Sequence, residues 1–101
     1  MKWGVRAAFL VLRNYVGRHK LNTIRKIITR WAPGSENNTR LYIDTVCRRM
    51  NMQPDDEITF RPCPMIPLFL AMCYVENGRE IDTETVVEGW YLAANGYPIR
   101  G

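Results

Sequence analysis

Two carboxylates open the search for chemistry in this chain. Glu36 lies in Ser35-Glu36-Asn37 and Glu76 in Val75-Glu76-Asn77-Gly78. Two acids facing each other across a cleft can cleave a glycosidic bond, one as general acid and the other as base or nucleophile. Their spacing in sequence does not place them face to face. A structural role explains each equally well: Glu36 near the positive end of a helix dipole, and Glu76 at the polar end of a buried helix. His19, the one histidine, is flanked by Arg18 and Lys20 after Gly17. It reads as solvated, because neither a nucleophile nor an orienting acid stands at a recognisable spacing from it. Cys47, Cys63 and Cys73 are odd in number, and no pair has the short spacing of a zinc knuckle or redox motif. They read as free thiols, with Cys47 and Cys73 in the core. No metal or cofactor is expected. Asn37-Asn38-Thr39 matches a glycosylation acceptor but carries no weight without a secretory signal.

The elements that must hold these residues are helical. Val5–Val16 is apolar over most of its surface and stops at Gly17. Leu21, Ile24, Ile27, Ile28 and Trp31 form one face of a second helix, capped by Asn22 or Thr23 and ended by Pro33. Pro33-Gly34 fits the centre of a type II turn. A third helix is expected from about Thr39 to Met50, capped by Asn37 or Asn38, with Ile43, Val46, Cys47 and Met50 inward. Residues 51–64 read as a loop in which Pro62 and Pro64 forbid a regular helix. Ile58–Phe60 is extended there, without a partner strand in view. A fourth helix, Pro67–Asn77, is apolar from Leu68 to Val75 and ends at Gly78. A fifth, Thr83–Ala94, is capped by Asp82, and its inward set is Val86, Val87, Trp90, Tyr91 and Ala94. The fold class is therefore all-α: a compact bundle of about five helices in a single domain over 1–101, with the fourth helix most buried. The first helix presents more apolar surface, at Phe9, Leu10, Val11 and Leu12, than one neighbour covers. Self-association through it, or cover by the 51–64 loop, is expected.

Charge is divided along the chain. Residues 1–50 carry eleven Lys/Arg against two Asp/Glu, and residues 51–101 carry three against eight. Attraction between the two halves within one fold is favoured over an external partner, so nucleic-acid binding is expected to be weak and non-specific at most. A helix-turn-helix reading, with Arg40, Arg48 and Arg49 on phosphates, meets a connection from Ala32 to Asn38 that is too long. The apolar run Ala7–Leu12 is too short for a signal peptide, and no run approaches a membrane span.

At Trp3-Gly4-Val5-Arg6-Ala7, at Arg30-Trp31-Ala32-Pro33-Gly34-Ser35-Glu36-Asn37-Asn38-Thr39 and at Tyr42-Ile43 the chain resembles a family of phage and prophage virion structural proteins. Leu21–Arg25 with Ile27-Ile28, and the apolar helix ending in Glu76-Asn77-Gly78, add to the likeness, which covers roughly residues 3–78. It implies a structural or assembly role without catalysis, in the virion or the host cytoplasm. Other virion proteins, or a second copy of the chain, are the implied partners. The central stretch, with Arg30, Trp31, Glu36, Asn37, Asn38 and Thr39, is the candidate binding surface, though each residue there also has a local task as a connector. The family distantly resembles the helical core of lysozyme-like cell-wall hydrolases, so the chain looks like a lysozyme-like helical subdomain. Similar proteins extend further upstream, and this chain looks like a shortened member. Hydrolases of that kind keep their catalytic acid upstream, so none is carried over. The rival reading is a peptidoglycan-cleaving glycoside hydrolase or lytic transglycosylase, or its relic, using Glu36 and Glu76.

Overall fold

Among the described residues five helices, α1 (Lys2–Gly17), α2 (Ile24–Trp31), α3 (Glu36–Met50), α4 (Pro62–Asn77) and α5 (Thr83–Asn95), build the fold. The computed structural model describes residues 2–32 and 34–95; the side chains of Lys2, Trp3, Glu36 and Asn95 lie outside that description, as does Pro33 and with it the type II turn expected at Pro33-Gly34. There is no strand among the described residues. A single antiparallel bridge joins Thr23 to Glu57. Ile58 N–H donates to the Asn22 carbonyl at 2.9 Å, and Arg25 N–H to that of Pro54 at 3.0 Å. The extended residues of the loop thus do have a partner, the chain just before α2, which no local pattern announces.

Helix starts follow side-chain caps. Thr23 Oγ1 accepts from Lys26 N–H at 3.2 Å. α3 begins one turn earlier than the sequence led us to expect. Ser35 is its cap, with Oγ accepting from Asn38 N–H at 3.1 Å, so Asn37 and Asn38 lie inside the first turn. Serine caps as well as asparagine, and starting from it adds a turn of backbone hydrogen bonds. α4 also starts early, at Pro62. A proline in the first turn removes only an N–H that has no helical partner. Pro67 is accommodated because Cys63, four residues before it, is out of helical conformation at φ −115°, ψ 99°. Gly78 ends α4 at φ 72°, and Asp82 Oδ2 caps α5 by accepting from Thr85 N–H and Oγ1.

α4 is flanked by α3 and α5, and α1 lies along α5. α4 contributes the most buried apolar side chains: Met65, Leu68, Phe69, Ala71 and Met72. Aromatic rings join the layers. Phe9 meets Phe69 at 5.1 Å and Trp90 at 5.2 Å between centroids, and Phe60 from the loop meets Trp90 at 4.6 Å. Two expectations need correction. α5 buries Val86, Gly89, Trp90 and Ala93, whereas Tyr91 and Ala94 are exposed and Val87 is half-buried. The face is turned by about one residue because α1 approaches at Gly89. A Cβ on Gly89 would lie 2.4 Å from Val5 Cγ1. On α1, Phe9 and Leu12 are fully buried, so only exposed Val11 and half-buried Leu10 remain of its supposed open face. Loop residue Ile58 is buried beside the start of α2, and half-buried Phe60 lies against Trp90 of α5. No helix among the described residues is long and apolar enough to cross a membrane.

Candidate functional site

Glu76 is where the fold brings chemistry-bearing residues together. It stands in the last turn of α4, where the negative end of the helix dipole disfavours a carboxylate. Two donors offset this on the same oxygen. Trp31 Nε1–H, from the end of α2, donates to Oε2 at 2.9 Å, and the Tyr42 hydroxyl, from α3, donates at 2.8 Å. Three helices are pinned through one atom. Tyr42 is buried. Burial first, and then the hydrogen bond to Glu76, hold its proton well above the ordinary tyrosine range, so it remains a donor. Glu76 itself is exposed, and Oε1 takes neither bond. The rings of Trp31 and Tyr15 stand nearly perpendicular with centroids 6.4 Å apart, and the Arg30 guanidinium lies 5.9 Å over the Tyr15 ring.

The other expected site residues are dispersed. Glu36 is the first residue of α3, about 9 Å along the helix axis from Tyr42 at 1.5 Å per residue. Its side chain lies outside the described residues, so no facing pair with Glu76 is established. Asn37 and Asn38 are exposed. Thr39 Oγ1 donates to the Ala32 carbonyl at 3.4 Å, and its N–H to that of Ser35 at 3.0 Å, which are the bonds of a connector. Thr39 also lines a groove of about 600 Å³ between α2 and α3, with Arg25, Thr29, Arg40, Ile43 and Asp44. That groove holds both signs of charge and does not include Trp31 or Glu76.

The connection between α2 and α3 is residues 32–35, short enough for a helix-turn-helix, so length no longer argues against that reading. Arg49, however, is taken up: it pairs with Glu80 and lies 3.8 Å from the centre of the Tyr74 ring. His19 is exposed; Cys47 is buried, Cys73 half-buried and Cys63 exposed, all as free thiols. Among the described residues no group of three His, Cys, Asp or Glu is placed to hold a metal. The part played by Tyr42 escaped sequence reasoning, since Tyr42 and Glu76 are 34 residues apart and no local spacing links them.

No family model matches the chain. It is similar to Protein P5 of the Pseudoalteromonas phage PM2, with 35% identity over 75 residues, or 74% of this chain and 46% of that protein. The chain spans about half the length of this phage relative.

Proposed function

We propose that the chain is a phage-derived structural or assembly component of a virion, without catalysis of its own. The likeness to a phage protein over three-quarters of the chain carries this reading. The bonding of Glu76 supports it. The carboxylate best placed for chemistry is engaged by Trp31 and Tyr42 as a strut between α2, α3 and α4. Mass spectrometry of purified particles from a host carrying the gene tests the proposal. Recovery in a fixed ratio to the other particle proteins is expected; recovery from the soluble lysate alone overturns it.

One observation favours the peptidoglycan-cleaving reading. Glu76 is exposed beside Trp31, with Oε1 outside both hydrogen bonds. Purified cell wall separates the two. The structural reading expects no loss of turbidity with the full chain. Clearing that disappears in Glu76→Gln, with the melting temperature retained, would establish the enzyme instead.

A further inference from the structure

The acidic half of the chain neutralises the basic half unevenly. Asp55 pairs with Arg25, and Glu80 with Arg49. From Arg13 to Arg30 the chain carries six Lys/Arg, one His and no acid. Of these cations only Arg25 has a carboxylate within 4 Å among the described residues. Arg13, Arg18, His19, Lys20, Lys26 and Arg30 are all exposed.

The fold brings Arg18, Lys20 and Arg30 to one pole, with Arg13 one turn before Gly17 on α1 and Lys26 one turn before Arg30 on α2. Arg18 and His19 N–H donate to the Asn14 carbonyl at 2.8 and 3.0 Å, and Leu21 N–H donates to that of Tyr15 at 2.7 Å. These bonds close the chain back over the last turn of α1. The Arg30 guanidinium, over the Tyr15 ring, brings the end of α2 to the same place. Lys20, in the middle of the turn, has φ 56°. That left-handed conformation favours glycine or asparagine. A cation occupies a position where the backbone alone would select glycine, an outlier of the kind that accompanies function.

We infer that Arg13, Arg18, Lys20, Lys26 and Arg30 form a docking surface for the phosphate backbone of double-stranded nucleic acid. The inference rests on the virion reading, which supplies the packaged genome as partner. Three features of the pole select this partner. A single strand is held by stacking its bases on aromatic faces, but Tyr15 and Trp31 are half-buried and turned on one another. A protein interface centres on a desolvated apolar anchor, and no large apolar side chain between Arg13 and Arg30 is exposed among the described residues. A membrane surface needs an apolar helix face, but Ile24, Ile27 and Ile28 of α2 are fully buried in the core. Phosphates need only the cations. The binding is independent of sequence, with Kd on the order of 1–100 µM at physiological salt.

Fluorescence anisotropy of a labelled duplex of about 20 base pairs with the full chain tests this. Between about 50 and 200 mM salt, log K is expected to fall against log salt with a slope of about −4, for four or five phosphate contacts. Lys20→Gly and Arg30→Gln should each reduce the slope by about 0.9. Lys20→Gly should keep or raise the melting temperature, since glycine suits the turn, which separates loss of binding from loss of fold. Combining Arg18→Gln, Lys20→Gly, Lys26→Gln and Arg30→Gln should abolish binding. No duplex binding at low salt, or a slope unchanged by these substitutions, overturns the inference. So does tighter binding of polyglutamate or of phosphatidylserine vesicles than of the duplex. Duplex binding by a chain that is absent from particles would sink the virion reading alone.

Discussion

At the scale of the residue, Tyr42 governs the cluster around Glu76. Its hydroxyl is the buried partner and the carboxylate the exposed one. Hydrogen bonds to charged groups contribute about 1.5–3 kcal/mol, less where the acceptor is solvated. Tyr42→Phe should therefore cost about 1–2 kcal/mol, read by denaturant unfolding, while Glu76 keeps its bond from Trp31. The same substitution has a signature in pH. The folded-state pKa of Tyr42 is raised, so its contribution is complete below the ordinary tyrosine value of about 10. Above that value the unfolded chain gives up the proton while the fold retains it, and stability falls. The melting temperature of the native chain should decline above pH ~10. Tyr42→Phe should show a shallower decline. Identical alkaline limbs would mean that the hydroxyl is solvated.

At the scale of the element, the contact between α1 and α5 is set by one glycine. A Cβ at Gly89 would stand 2.4 Å from Val5 Cγ1, 2.6 Å from Val5 Cβ and 3.2 Å from the Arg6 backbone nitrogen. Gly89→Ala must part the helices and should cost about 1–3 kcal/mol, despite the better helix propensity of alanine. Adding Val5→Ala should rescue it only in part, because the Val5 Cβ contact remains. The burial of α1 gives a second pair of expectations. Leu12→Glu should unfold the domain, whereas Val11→Glu, at a position 40% exposed, should leave the melting temperature within a few degrees. Circular dichroism reads both, and a folded Leu12→Glu would mean that α1 is not part of the core. The helices were legible in the sequence wherever an apolar period or a cap stood alone, as with the Ile24, Ile27 and Ile28 face, Asp82 and Gly78. The starts of α3 and α4 were misplaced because two caps compete near Ser35 and because a first-turn proline resembles a helix breaker. The inward face of α5 was off by about one residue because it is fixed by contact with α1. The junction of Trp31, Tyr42 and Glu76 joins three helices, and no residue of the three advertises the other two.

At the scale of the whole molecule, the division of charge becomes a source of cohesion that depends on pH. Both ion pairs among the described residues cross from one half to the other: Arg25 to Asp55, and Arg49 to Glu80. Arg49 adds its stacking on Tyr74, so the halves meet where a cation is partly desolvated as well as paired. Acid removes one side of this balance. The Arg25 guanidinium lowers the pKa of Asp55, and the Thr85 hydroxyl, as a hydrogen-bond donor, lowers that of Asp82. A carboxyl depressed in the fold contributes stability above its unfolded value, about 3.9, and loses it as pH falls through the folded value. As carboxylates are protonated, the cations of residues 1–50 are left to repel one another. The melting temperature should be level near neutrality and fall below pH ~4. Asp55→Asn and Asp82→Asn should each flatten that acid limb. Salt then separates lost caps from repulsion. At pH ~3, raising sodium chloride to about 0.5 M shortens the Debye length to about 4 Å and should raise the melting temperature by screening the basic half. At pH ~7 the same salt should lower it slightly, because there it screens attraction. A melting temperature indifferent to salt at acid pH would show that the uneven charge is borne without strain, and that capping alone sets the acid limit.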